Sequence, residues 1–397
     1  MPSAAGGLRL PGRRILMTNP RLPQESRPTL LRHVDYLLPI FAALISAVGV
    51  AMVYSATRGP ATELLPAQTR YLERHLTFVL IGLLAMFVTA LIGHRFAQRM
   101  AVALYGGMLV LLMAVLVAGV EVKGARAWFQ FAGYQLQPSE FGKPIIIVVL
   151  AAWFGSVETV NTQRLVAGLA MVALPTLIIL KQPDLGTVLV YGAITAGMTM
   201  VAGVKGRHLF ILALLAVTGT VVVLQSDRLA SYQVDRLLVF IDGESNSGAR
   251  YNLEQAQIAI GNGGLTGKGL FQGTQNNSNL VPEQQTDFIF TVIGEETGFV
   301  GSVAVLGLMA LLLVRIWRIG QIADDRFGLL LSAGVFSMIL FQIFQSVGMA
   351  IGIMPITGIP LPLVSYGGSS VLSTFLALGL VQSVHMRRHD YRYSSTF

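Results

Sequence analysis

Apolar stretches of about 20 residues recur along the whole chain, at about 36–56, 76–93, 101–119, 141–156, 165–180, 184–202, 208–225, 288–314, 328–352 and 364–384. An α-helix needs roughly 20 residues to cross about 30 Å of hydrocarbon. In lipid every backbone N–H and C=O must bond within the protein, so only helices and closed barrels span it. Of the 397 residues, 53% are hydrophobic and 12% charged, against roughly a quarter charged in soluble domains. The expected fold is an all-α polytopic membrane protein of ten transmembrane helices, with a large extracytoplasmic loop between helices 7 and 8.

The net charge of +8 is distributed as the membrane topology requires. Basic residues such as Arg95, Arg99, Lys205, Arg207, Arg315, Arg318, Arg387 and Arg388 flank spans on one side. The positive-inside rule makes that side, with both termini, cytoplasmic. This distribution argues against a nucleic-acid partner. Residues 1–34 are rich in Arg and Pro and read as a disordered cytoplasmic tail. The Arg13-Arg14 pair lacks the apolar run of a targeting signal. The membrane domain is assigned to 35–386, with the extracytoplasmic loop at about 226–287 and a cytoplasmic tail at 387–397. There is no cysteine, which excludes disulfides and thiolate metal sites.

The other side carries the motifs. Gly124-Ala125-Arg126-Ala127-Trp128 precedes Gln137-Pro138-Ser139-Glu140-Phe141-Gly142-Lys143, where Glu140 and Lys143 share a helix face and can pair. Asp184 in Gln182-Pro183-Asp184-Leu185-Gly186-Thr187 is placed to cap the sixth span. The loop 226–287 contains Arg236 in a short interfacial run, then Gly261-Asn262-Gly263-Gly264-Leu265-Thr266-Gly267-Lys268-Gly269. A nucleotide-binding P-loop fails there, because Asn262 and Gly269 stand where glycine and Ser/Thr are required. Two readings remain, a flexible loop or a backbone that approaches a phosphate with Lys268 as a point charge. The apolar, proline-rich stretch Pro355-Ile356-Thr357-Gly358-Ile359-Pro360-Leu361-Pro362 cannot continue a helix, which implies a cavity open to the outside.

Val281-Pro282-Glu283-Gln284-Gln285-Thr286-Asp287-Phe288 leads into the eighth span, which carries Glu295 and Glu296. Carboxylates at membrane depth are costly and point to function. Asp287 reads either as a helix cap or, with Glu283 and a low-dielectric rim beside it, as a general base. If the helix ran on from Asp287, Glu295 would lie about 80° around the axis from it and Glu296 about 180°. Glu295 is then the cavity candidate, with bonding to a neighbouring element as the alternative for both. The histidines His33, His75, His94, His208, His385 and His389 show no metal-ligand spacing, and a serine triad has only His75 available outside. The mixture of carboxylates with Arg126, Lys143, Arg236 and Lys268 suits deprotonating a hydroxyl while holding a phosphorylated group.

Together these motifs resemble the SEDS family of bacterial cell-wall polymerases, the RodA, FtsW and SpoVE group. The resemblance runs from Val34 to Arg388, and Gly273-Thr274-Gln275 is most like the RodA branch. Departures are Ala127, Gln285 and Gly142, and Gln285 counts against a proton relay through that position. The resemblance implies a peptidoglycan glycosyltransferase that polymerises lipid II during elongation. Asp287 would be the general base, and the leaving undecaprenyl pyrophosphate would depart with inversion. Substrate would be bound by Glu140, Lys143, Arg126, Trp128, Arg236, Lys268, Glu283 and Glu295. Glu140 would orient Lys143 or assist a divalent cation (Mg or Mn), the one candidate cofactor. A class B penicillin-binding protein is the implied partner. The competing functions are a lipid II flippase, a division-specific polymerase of the FtsW type, and a scaffold.

Overall fold

The computed structural model describes residues 33–58, 66–122, 124–131, 133–211, 214, 248–278 and 280–388. Its helices are α1 (Leu37–Arg58), α2 (Pro66–Ile92), α3 (His94–Arg99), α4 (Ala101–Ala118), α5 (Pro138–Gly155), α6 (Thr162–Leu180) and α7 (Leu185–Val201). They continue as α8 (Gly248–Gly263), α9 (Thr274–Asn277), α10 (Ile289–Gln321), α11 (Arg326–Ile351) and α12 (Gly368–Met386). Among the described residues, 8 helices are long and apolar enough to cross a membrane, and α7 is a shorter apolar helix. The expected seventh span lies mostly outside the described residues, as do Arg236, nearly all of the N-terminal tail and most of the C-terminal tail.

Helix ends follow local chemistry. Asn161 caps α6 by accepting from the Arg164 N–H at 2.8 Å, and Asp325 caps α11 by accepting from Gly328 at 2.7 Å. Gly352 ends α11 in the left-handed conformation at φ 85°. Pro138 opens α5, where a missing N–H costs nothing.

α12 is the most enclosed of the long helices, packed along α2. Close approach is what a glycine permits here: a Cβ at Gly379 would stand 2.5 Å from the Met86 carbonyl oxygen. Without a hydrophobic drive between helices in lipid, such small-residue contacts supply the packing that holds them.

Each end of the bundle is tied by polar bonds. At one, Arg315 pairs with Asp35, whose Oδ1 also accepts from the Leu38 N–H at 2.8 Å. There the His94 N–H donates to Ser383 Oγ at 2.7 Å, and Arg387 donates to the Ala90 carbonyl at 2.8 Å. Burial raises the Asp35 carboxyl, and Arg315 with the Leu38 N–H outweighs it, so the group sits below its ordinary value. His94 is pushed down to about 4, first by burial and then by Arg387 and Arg95, against an opposing pull from Asp325.

The other end gathers the motif loops. Within the stretch expected as a loop at 120–140, β1 (Val120–Val122), β2 (Ala125–Phe131) and β3 (Tyr134–Leu136) form a three-stranded antiparallel sheet. Val120 pairs with Trp128 and Glu121 with Arg126, while Phe129 faces Leu136. The described part of the stretch expected as the loop at about 226–287 contains α8, α9 and a turn.

α10 is not one continuous helix. Gly298 holds φ 67° and ψ −163°, and the glycine-rich loop inserts into the break. The Lys268 and Gly269 N–H groups donate to the Glu295 and Glu296 carbonyls, each at 3.0 Å. Phe299 and Val300 N–H donate to Gly264 at 2.9 Å and Leu265 at 3.1 Å. In an unbroken helix the i→i−4 bonds would join those helical groups to each other. The loop therefore stands in for one turn of the ladder. The Gly267 N–H is also committed, to the Gly263 carbonyl at 2.8 Å. Amides spent in this way have no capacity for a phosphate, so the backbone of the stretch is a structural splice rather than a phosphate cradle or a flexible loop, and only the Lys268 side chain is left of the phosphate reading.

Candidate functional site

Asp287 lies in the turn that precedes α10, two residues before its first residue Ile289, and is half-buried. The cap position belongs to Phe288, which makes no side-chain cap bond. Because the helix starts at 289, the wheel angles reckoned from Asp287 do not apply.

The turn is fixed on three sides. Glu283 adopts φ 56°, a left-handed conformation uncommon for a residue with a side chain, and its carbonyl accepts from the Thr286 N–H at 3.1 Å. Gln284 is buried, and its Nε2 donates to the Ala56 carbonyl at 2.8 Å and the Asn276 carbonyl at 3.1 Å. The Gln285 carbonyl accepts from the Tyr366 N–H at 2.9 Å. Phe271 (φ 66°) and Leu363 (φ 64°), from the two loops packed against this turn, are also left-handed. Such conformations cost of order 1–3 kcal/mol and cluster where surroundings impose them.

Glu140 and Lys143 lie in the first turns of α5, both buried, with Lys143 Nζ 2.5 Å from Glu140 Oε1. Among the described residues Glu140 Oε2 is buried with no partner. One short segment links this pair to the Asp287 turn. The Gln137 N–H donates to Ser369 Oγ at 3.0 Å, and Tyr366, bonded to Gln285, is three residues from Ser369. Three residues span at most about 11 Å, so both anchors lie on one rim.

Asp184 accepts at Oδ1 from the Thr187 N–H (2.9 Å), capping α7 as expected. Its Oδ2 accepts from Thr187 Oγ1 (2.7 Å), Gln137 Nε2 (2.9 Å) and Ser139 Oγ (3.3 Å). It locks the start of α5 to that of α7.

Glu295 and Glu296 are fully enclosed. Glu295 accepts from the N–H groups of Gln275 (2.9 Å) and Asn276 (3.1 Å) and from Thr274 Oγ1 (3.1 Å), with Lys268 Nζ 3.6 Å away. Glu296 accepts from the Phe271 N–H at 3.0 Å, from Asn276 Nδ2 at 3.1 Å and from Ser55 Oγ. Their oxygens are taken up by α9, the loop before it and α1, which is the alternative of bonding to a neighbouring element. Lys268 also donates to Thr274 Oγ1 at 2.5 Å. On β2, Arg126 is exposed and Trp128 half-buried.

Sequence reasoning missed Asn276, Gln284 and Ser55, whose roles come from long-range contacts. It also missed Arg74 on α2, because the helix begins at Pro66 rather than near 76. Arg74 lies 5.4 Å over the Tyr134 ring and bonds Tyr366. Burial raises the Tyr366 hydroxyl although Arg74 opposes it. Among the described residues no group of three or more His, Asp or Glu could hold a metal ion. With Oε1 of Glu140 taken by Lys143, only its Oε2 is left as a donor, which does not fit a protein-held divalent ion.

The fold and this end of it define a multi-pass helical membrane protein that gathers buried carboxylates and a buried lysine among interlocked loops. Residues 35–390 match the sequence model of the FtsW, RodA and SpoVE family, described as a cell cycle protein. The chain belongs to that family, the SEDS proteins. It is 36% identical to the peptidoglycan glycosyltransferase MrdB of Escherichia coli K12 over 80% of this chain and 86% of that one. It is 36% identical to the probable peptidoglycan glycosyltransferase FtsW of Trichlorobacter lovleyi (90% and 94%) and 35% to the stage V sporulation protein E of Bacillus subtilis (88% and 96%). Among solved structures, a chain from a peptidoglycan synthase complex that coordinates polymerization and crosslinking superposes with TM-score 0.74 at 34% identity, covering 90% of this chain and 98% of that one. The Thermus thermophilus rod shape determining protein RodA superposes at 0.66 with 31% identity and the same coverage.

Proposed function

We propose that this protein polymerises lipid II into glycan strands at the outer face of the cytoplasmic membrane, with Asp287 as general base. Asp287 takes the proton of the acceptor sugar hydroxyl. The freed oxygen attacks the anomeric carbon of the donor, and the bond to undecaprenyl pyrophosphate breaks with inversion. Lys143, with Arg126, Arg236 and Lys268, neutralises the diphosphate as its charge grows, the moment when fixed cations act most strongly. Glu140 orients Lys143, and Trp128 packs against lipid or sugar. Glu283 shapes the Asp287 turn. A class B penicillin-binding protein is the partner we expect, and a bound divalent ion, if one takes part, would be carried largely by the diphosphate.

The observation that carries this reading is the shared rim joining the Asp287 turn to the buried Glu140–Lys143 pair, in a chain whose relatives are named peptidoglycan glycosyltransferases. The test is polymer formed from lipid II by purified protein in detergent, with and without the cognate transpeptidase. A removed general base lowers rates by about 10²–10⁴-fold, so Asp287→Asn should fall by that much while remaining folded. Wild-type glycan chains from that variant would reject the base. Failure of folded wild-type protein with its partner to form polymer would favour the flippase, which needs a membrane to act across. Gly273-Thr274-Gln275 supports elongation over division, and complementation of a strain lacking its elongation polymerase checks that choice.

A further inference from the structure

We propose that Glu296, acting through Asn276 and Gln284, is a positioning residue that fixes the backbone of the 283–287 turn and so aims the Asp287 carboxylate. The inference rests on Asp287 being the base.

The geometry forms a short relay. Glu296 sits about two turns into α10, just before the Gly298 break, with essentially no exposure. Every group that reaches it is a donor: the Phe271 N–H, Asn276 Nδ2 and Ser55 Oγ. Asn276 Nδ2 also donates to Ser55 Oγ at 3.1 Å, which closes a triangle with the end of α1. The same Asn276 offers its carbonyl to Gln284 Nε2, and that Nε2 bonds Ala56, the residue after Ser55. The relay therefore leaves α10, crosses α9, and ends in the turn three residues before Asp287, with α1 as the second anchor.

Among the described residues no Lys or Arg pairs with Glu296. Burying such an acceptor is costly unless its bonds are made, and bonds to a charged acceptor are about twice as strong as neutral ones. A neutral amide at 296 would turn its N–H₂ against either the Phe271 N–H or the Asn276 amide. Only an all-acceptor side chain satisfies both at once. The consequence for chemistry is distance: a catalytic group misplaced by about 1 Å can lose about 10²-fold in rate.

A reciprocal exchange tests this. Asn276→Asp sets two carboxylates together, and Glu296→Gln sets two amides together. The double variant restores one donor facing one acceptor, with total charge unchanged. Lipid II polymerisation by the purified chain with its partner should show kcat down about 10²-fold in each single variant, with KM within about twofold. The double variant should recover to within about tenfold of wild type, with the pH–rate profile back in its wild-type position. A single variant that folds and keeps wild-type kcat overturns the proposal, as does a double variant no better than its parents. If the singles do not fold, Gln284→Met removes both Nε2 bonds at similar volume and should cut kcat about tenfold without changing KM. Unchanged kcat there also overturns it. Asp287→Asn run alongside separates the two claims. Activity in that variant sinks the base assignment, whereas an inactive Asp287→Asn with fully active relay variants sinks the relay alone.

Discussion

Replacing Gly298 by Ala tests whether the glycine-rich loop is part of the α10 backbone. Its φ of 67° with ψ of −163° lies in a region open essentially to glycine alone, at a cost of about 1–3 kcal/mol for any other residue. An added Cβ would stand 2.3 Å from the Gly267 nitrogen and 2.7 Å from the Leu265 oxygen, both backbone atoms that cannot rotate away. The loop must retreat, and the inserted bonds of Lys268, Gly269, Phe299 and Val300 lengthen together. At about 0.5–1.5 kcal/mol net for each bond, losing most of them adds about 2–4 kcal/mol. The sum, about 3–7 kcal/mol, is a large part of the 5–15 kcal/mol that typically separates folded from unfolded protein. At about 2 °C per kcal/mol for larger domains, the apparent Tm in detergent should fall by roughly 5–15 °C. Gly307→Ala is the control. It lies on the same helix, its Cβ would have open space, and alanine is the better helix former by about 1 kcal/mol. If Gly298→Ala melts within about 2 °C of wild type, the splice does not hold the two halves of α10, and the argument fails.

Two further outcomes follow from buried charge. Lys143→Met leaves the Glu140 carboxylate buried without its 2.5 Å partner and should destabilise by about 3–5 kcal/mol, whereas adding Glu140→Gln should restore most of the thermal stability without restoring polymerisation. A wild-type Tm for the single variant would show that the pair carries no such weight. His94 titrates near 4 in the fold against an ordinary 6.5. Above pH 6.5 neither folded nor unfolded chain holds that proton, and below it the unfolded chain binds a proton that the fold refuses. Stability should therefore fall as pH drops from 6.5 toward 4, by up to about 3 kcal/mol, and His94→Asn should flatten that part of the Tm–pH curve. An identical slope in the variant would contradict the assignment.

The spans were legible because a run of apolar residues near 20 long has few other fates, and the motif loops were legible as punctuation between them. Their ends were less so. Polar Arg70, Glu73 and Arg74 hid the true start of α2, and Pro138-Ser139-Glu140 hid that of α5, although a proline at the first helical position is a start signal. The β-sheet escaped because strands of three to seven residues in a polar loop carry little periodicity. At the site, Glu140 pairing with Lys143 was readable because three residues on one helix fix the geometry without knowledge of the fold. The partners of Glu296 were not. Ser55 is 241 residues away in sequence, and nothing local marks Asn276 as the group that joins it.

The same residue type precedes two helices at this end of the bundle, and one residue of register separates two uses. Asp184 occupies the position immediately before α7, and four donors converge on its two oxygens. A carboxylate so engaged has little lone-pair capacity left for a substrate hydroxyl and acts as a clamp between α5 and α7. Asp287 stands one residue farther out, because Phe288 takes the corresponding position before α10. Its backbone is fixed instead from outside the helix, by the Glu283 carbonyl, the Gln284 amide and the Tyr366 N–H. Holding the main chain from neighbouring elements is how a carboxylate carried on a loop can be aimed without a helix around it. On the proposed mechanism, the glycine splice and the two enclosed glutamates exist to make that turn as rigid as a helix without making it one.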